Sequence, residues 1–205
     1  MNVVMVHGFA DTGRLFRVLS RELGARGHIC HAPTFHPRSA RLGLPDLSGK
    51  LAAFIRDNVP SGAPLALVGF SMGALVARHY LQALGGALSV KAFFSIAGPH
   101  HGTPHAYLFP GLGTRDMRPG SPFLQQLNSQ SGALGDLPVF TYRTPLDLMV
   151  FPAATARLPG AQERVVWCPL HSLLPGDREV VGHIASELAK LDSSAVDRVA
   201  LTASI

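Results

Sequence analysis

Short, almost continuous apolar runs recur along the chain, at residues 2–6 (NVVMV), 28–32 (HICHA), 64–70 (PLALVGF), 91–97 (KAFFSIA), 138–142 (PVFTY) and 164–168 (RVVWC). Their length and lack of polar alternation predict strands buried on both faces of a parallel sheet. Between them the period changes to that of a helix. Leu15, Val18, Leu19 and Leu23 form one stripe, and Leu47, Leu51, Phe54 and Ile55 a second. Val180, Val181, Ile184, Leu188 and Leu191 form a third near the end. The segment holding Leu75, Val76, His79, Gln82 and Leu84 is less cleanly two-faced, as expected of a helix packed in the interior. Alternating strand and helix predicts an α/β fold: a mostly parallel sheet of about six strands flanked by helices on both faces.

One stretch breaks this rhythm. From Pro99 to Leu137 the chain is rich in Gly, Pro and His, yet carries Tyr107, Leu108, Phe109, Leu112 and Phe123. An irregular insertion of this length, at about 99–137, predicts a lid or binding loop. Within it only SPFLQQLN reads as a short helix, with Ser121 as its N-cap.

With 205 residues, the chain is expected to be a single domain, 1–205, that carries this insertion. The 47% apolar and 15% charged composition is that of a compact soluble chain and excludes a disordered one. The net charge is +5, and six arginines (Arg14, Arg17, Arg21, Arg26, Arg38 and Arg41) fall in the first 45 residues. Four of the six follow the first predicted helix, where a solvated polar face is the ordinary reading. No run of basic residues interleaved with aromatics points to nucleic acid. Cys30 and Cys168, both placed in predicted strands, make no disulfide framework and read as small core residues. No stretch approaches the apolar length of a membrane helix. The first residues enter a strand without a basic segment and apolar run ahead of it, which predicts a cytoplasmic protein or a trimmed secreted form.

The chemistry gathers at LALVGFSMGALVARHY, residues 65–80. Gly69-Phe70-Ser71-Met72-Gly73 fits G-x-S-x-G with a strand before it and a helix after it, the setting of a nucleophile elbow. A serine that must project its Oγ clear of the backbone occupies a sparsely allowed conformation. A Cβ two residues to either side would strike the packed strand or helix, hence the glycines. The Met72 amide would open the helix, and the Phe9 amide of His7-Gly8-Phe9, just past the first strand, would face it. Two such amides make an oxyanion hole. The base and acid are sought downstream in the order Ser, Asp, His. His171, on a loop past the last predicted strand, is favoured over His79, on the helix leaving the elbow, and over His183, within the final helix. Asp147, just past strand 138–142 among apolar neighbours, is favoured over Asp136 and Asp177. His7 reads as stabilising its loop. His100, His101 and His105 in PHHGTPH match no zinc template and read as pocket wall, so neither metal nor cofactor is expected. The substrate pocket is expected to include His7, His100, Tyr107 and Phe109.

The segments VHGF, LVGFSMGALVARHYL, SIAGPHHGTP and TPLDLMVFPAATARLPGA, with HSLL beyond, resemble the small α/β-hydrolase lipases and esterases. They are also similar to the inositol-deacylase-like "acetyltransferase or hydrolase" proteins. The similarity runs along nearly the whole chain. It implies an α/β-hydrolase fold with Ser71 as nucleophile, Asp147 as acid and His171 as base, and with Phe9 and Met72 as oxyanion-hole donors. Relatives commonly read G-H-x-S/A-L-L at the histidine, where this chain has Pro169-Leu170-His171-Ser172-Leu173-Leu174, and a second glycine after the elbow, where it has Ala74. The resulting expectation is a serine carboxylester hydrolase for short- to medium-chain acyl esters. Its partners would be small-molecule or lipid esters, with passing contact to a lipid surface. An acyltransferase using the same acyl-enzyme is the alternative, and a non-catalytic binding module a third reading.

Overall fold

The computed structural model describes residues 1–202, with side chains described as far as Ser193. Its six strands are β1 (Asn2–Val6), β2 (Ile29–His31), β3 (Leu65–Phe70), β4 (Val90–Ile96), β5 (Val139–Arg143) and β6 (Gln162–Val165). All pair in parallel, in the order β2-β1-β3-β4-β5-β6. The chain therefore starts inside the sheet, runs out to one edge, and crosses back over its first strand to build the rest. The order reverses between β1 and β3, and a crevice opens past the carboxyl ends of strands at such a point. Gly8-Phe9 follows β1 and Ser71 follows β3, so the two candidate loops meet there.

Period-two alternation feeds two separate cores. In β1, Val3 and Met5 face one side, where they pack with Phe16, Leu19 and Leu23 from the α1 region and with Val180, Ile184 and Leu188. Val4 and Val6 face the other, with Leu47, Leu51, Leu75 and Val76. Helices α1 (Arg17–Ala25) and α6 (Arg178–Thr202) thus cover one face, and α2 (Leu44–Asn58) and α3 (Met72–Ala83) the other. Contact between α2 and α3 is close enough for the buried Ser48 hydroxyl to donate to Val76 O at 2.9 Å.

The edges depart from the expected pattern. β6 lies two residues earlier than RVVWC suggested and all four of its residues are exposed, while Ile29 of β2 is also exposed. Cys30 sits in β2, but Cys168 lies beyond β6; neither is in a disulfide. An edge strand covered on one side needs apolar residues only on that side. Accordingly Val166 and Cys168 are buried, whereas Val165 and Trp167 face solvent. Among the described residues, no helix is long and apolar enough to cross a membrane.

The 99–137 segment holds more structure than one helix. α5 (Pro122–Ser129) is present, with the Ser121 hydroxyl accepting from Leu124 N. Before it lies α4 (Leu112–Asp116), and single 3-10 turns cover Pro104–Tyr107 and Ser131–Leu134. Two polar groups, the half-buried Asp116 and the buried Arg78, fasten this segment to the body. The Asp116 carboxylate accepts from Leu44 N at 2.8 Å, at the start of α2. Arg78, fully buried on α3, donates to Leu127 O (2.9 Å), Asn128 Oδ1 (2.8 Å) and Gln82 Oε1 (2.6 Å). Burial lowers its pKa to about 10, so it stays cationic at neutral pH, neutralised by oriented dipoles and not by a carboxylate.

Candidate active site

Ser71 occupies φ 52°, ψ −122°, a conformation costly to a residue with a Cβ, and its N–H is held by Ile96 O at 2.8 Å. The flanking glycines follow from contact distances. A Cβ on Gly69 would stand 2.4 Å from Ala74 Cα, and one on Gly73 would stand 2.1 Å from Val6 O. Those neighbours are backbone of α3 and β1 and cannot step aside. Gly73→Ala is expected to cost at least about 3 kcal/mol through this overlap; a urea midpoint equal to wild type would contradict it.

The Gly8–Phe9 peptide lies close to the elbow, since a Cβ on Gly8 would be 3.4 Å from Ser71 Cβ. Neither the Phe9 nor the Met72 amide donates to a protein acceptor among the described residues. Met72 also begins α3, where the helix dipole favours negative charge. Behind this loop, buried His7 accepts from Phe35 N at Nε2 (2.9 Å), which leaves Nδ1–H to donate to Gly8 O (2.8 Å). Burial foremost holds its pKa low, so the ring is a neutral pin.

Asp147 is 2% exposed and lies in the loop after β5. Its Oδ1 accepts from the Met149 and Val150 amides, both at 2.9 Å, and its Oδ2 from His171 Nδ1 at 2.7 Å. Burial pushes the carboxyl upward, but the His171 hydrogen bond and charge, with the two amides, outweigh it and hold the pKa below the ordinary value. His171 opens a 3-10 turn, its ring 4.7 Å from that of Phe70 between centroids. Ser71 and His171 border the same cleft, of about 530 Å³, although no hydrogen bond joins their side chains in this structure. Catalytic hydrogen bonds are often long until substrate binds.

The competing residues lie elsewhere. His183 hydrogen-bonds Tyr142 Oη through Nδ1 (2.7 Å) and pairs with Glu187, and His79 packs on Phe123. Asp177 receives the Glu179 amide at the start of α6, and Asp136 is exposed. Of the expected pocket residues Phe109 lines the cleft, where its ring meets Phe9 at 5.3 Å. His7, His100 and Tyr107 do not line it. His7 is turned to the Phe35 loop, His100 is sealed beneath with Nε2 on Ser95 Oγ (2.8 Å), and Tyr107 is exposed under the Arg118 guanidinium. Among the described residues, no group of three or more His, Cys, Asp or Glu could hold a metal ion.

Sequence reasoning missed Thr144 and Thr103. The buried Thr144 hydroxyl donates to Cys168 O at 2.8 Å, tying the Asp147 loop to the chain leading to His171. Thr103 donates to Met149 O at 2.8 Å, tying the 99–137 segment to the same loop. A hydroxyl flanked by proline, as in T-P, was the available signal in both places.

Several histidines are held neutral, above all His100, whose pKa burial drives well below 6.5, with Arg78 and His101 adding to it. Burial foremost lowers His7, His28, His79 and His183 as well. Each of these groups takes up its proton at a lower pH in the folded chain than in the unfolded one, whose midpoint is about 6.5, so below about pH 6.5 the unfolded state binds more protons and stability falls as the pH falls. The slope approaches about 1.4 kcal/mol per pH unit for each fully suppressed histidine. The depressed Asp147 adds nothing in this window, because its contribution is lost only near the carboxylate range. Urea midpoints at pH 7.5, 6.5 and 5.5 are expected to fall, and to fall less steeply in His100→Gln.

Comparison with known proteins agrees with this fold. The fold matches the mature form of a Bacillus licheniformis lipase at TM-score 0.73 and 17% identity, covering 91% of each chain. It also matches a Listeria innocua gene product at TM-score 0.70 and 14% identity (90% of this chain, 92% of that one). Lipase B of Aspergillus fumigatus matches at TM-score 0.70 and 18% identity, covering 87% of this chain and 51% of that one. No curated protein matches the chain significantly. The sequence model of the alpha/beta hydrolase family spans residues 3–200. With a matching all-parallel sheet and an elbow at its switch point, the chain belongs to the alpha/beta hydrolase family.

Proposed function

We propose that the protein is a serine carboxylester hydrolase acting on short- to medium-chain acyl esters through an acyl-enzyme on Ser71. The observation that carries this reading is the Asp147–His171 pair, 2.7 Å apart, bordering the cleft that also holds the strained Ser71. With Nδ1–H given to Asp147, the neutral ring presents its Nε2 lone pair as a base. Ser71 Oγ attacks the ester carbonyl and its proton passes to Nε2. The developing oxyanion is met by the Phe9 and Met72 amides, each such donor being worth about 3–4 kcal/mol. Collapse expels the alcohol, which takes the proton from Nε2, and leaves the acyl group on Ser71. Water, deprotonated by the same nitrogen, then attacks the acyl carbonyl, and the carboxylic acid departs as Oγ recovers its proton.

The walls support an acyl substrate. Phe9, Phe109, Met117, Leu146, Leu148 and Val150 line the cleft. Leu108, Leu148, Met149, Phe151, Leu170 and Leu173 stand exposed on the loops that border it. An apolar rim of this kind favours passing contact with a lipid surface. In this reading residues 99–137 form a lid-like roof on a single domain. A fluorophosphonate probe is expected to phosphonylate Ser71, releasing fluoride, at one label per chain; an unlabelled Ser71 peptide would sink the assignment.

A further inference from the structure

The cleft carries a formal charge that the chemistry above does not use. Among the described residues that line it, Asp11 is the sole Asp, Glu, Lys or Arg, although the chain as a whole carries +5. Asp11 N donates to Gly8 O at 3.3 Å, which sets its side chain one tight turn beyond the Gly8–Phe9 peptide. Its Oδ1 accepts from Thr12 N at 2.8 Å. The Lys and Arg ion pairs among the described residues go to Glu22, Asp46, Asp57, Glu163, Glu179 and Glu187, not to Asp11. Arg38 reaches the neighbouring Ala10 carbonyl at 3.4 Å, and not this carboxylate.

A half-buried carboxylate without a paired cation, set among apolar walls, projects its field into the cavity. The other lining groups fix which cation suits it. Three phenylalanines, Phe9, Phe70 and Phe109, border the same space, and aromatic faces attract weakly hydrated cations. A primary ammonium would have to shed its tightly held water here, whereas a quaternary ammonium presents methyl groups to the walls and charge to the carboxylate. Resting on the ester-hydrolase reading, we propose that Asp11 is a specificity-determining residue that selects esters bearing a quaternary ammonium group.

The test compares isosteric substrates that differ only in charge, with the cation placed on either side of the ester. Butyrylcholine is set against 3,3-dimethylbutyl butyrate for the alcohol side. Methyl 4-(trimethylammonio)butanoate is set against methyl 5,5-dimethylhexanoate for the acyl side. The wild type is expected to favour the cationic member of one pair by about tenfold in kcat/KM, the scale of one charge pair at a partly solvated site. Asp11→Asn keeps the acceptor for Thr12 N but removes the charge, and the ratio is expected to fall to near one; Asp11→Glu is expected to keep it well above one. A ratio near one in both pairs for the wild type, or one that Asp11→Asn leaves unchanged, would overturn the assignment and leave the hydrolase reading intact. Failure to turn over all four esters, the neutral ones included, would overturn the hydrolase reading and this inference with it.

Discussion

Ser71→Ala is expected to lower kcat for a p-nitrophenyl ester by about 10⁶-fold while leaving the unfolding midpoint close to that of wild type. The size of the loss follows from the removal of the attacking oxygen, since members of a nucleophile–base–acid set act as a unit and losing the nucleophile alone forfeits nearly all they provide. What remains is expected to come from the free amides of Phe9 and Met72, in their proposed role, and from binding in the cleft. Stability should hold because alanine at φ 52° meets the same backbone strain as serine and no side-chain hydrogen bond of Ser71 is lost. Turnover within tenfold of wild type, measured on protein free of contaminating esterase, would refute the nucleophile.

Asp147→Asn should cost about 10⁴-fold in kcat, by a different route. The asparagine oxygen can still accept from Met149 and Val150, so the loop keeps its shape. Its NH2 group then faces His171 Nδ1 as a donor, which forces the proton onto Nε2 and removes the lone pair the serine needs. The charge that steadies the imidazolium in the transition state also disappears. The expected signature is a loss in kcat far larger than any change in KM, with partial recovery at high pH as hydroxide substitutes for the base. A variant with more than a tenth of wild-type kcat would show that the carboxylate does not orient the ring.

The elbow was legible in the sequence because its constraints are local. Gly69 answers a contact with Ala74 within the strand–turn–helix itself and Gly73 one with Val6 on the adjacent strand β1, and the five-residue G-x-S-x-G pattern records both. Asp147 and His171 were legible for a second reason: each follows a strand, and parallel strands deliver the loops at their carboxyl ends to one rim. β6 was misplaced because the run RVVWC conceals an alternation, with Val166 and Cys168 turned inward and Val165 and Trp167 outward, that an apolar count does not separate. α4 was missed because LGTRD carries no apolar period; the Asp116 tie to Leu44 fixes it from outside. His7, His100 and Tyr107 show a further gap. Residue type suggested a pocket wall, but the direction of each side chain is set by partners 28, 5 and 11 positions away, at Phe35, Ser95 and Arg118.

The Arg78 anchor constrains how the entrance can work. Because one guanidinium binds the end of α5 to the very helix that begins at the elbow, lifting the whole roof would strand a cation in the interior. Asp116 and Thr103 rivet the front of the plate to α2 and to the acid loop. Any opening of the cleft is therefore expected to be confined to the short span 105–111 between these two rivets, where Phe109 meets Phe9, while the plate behind it stays still.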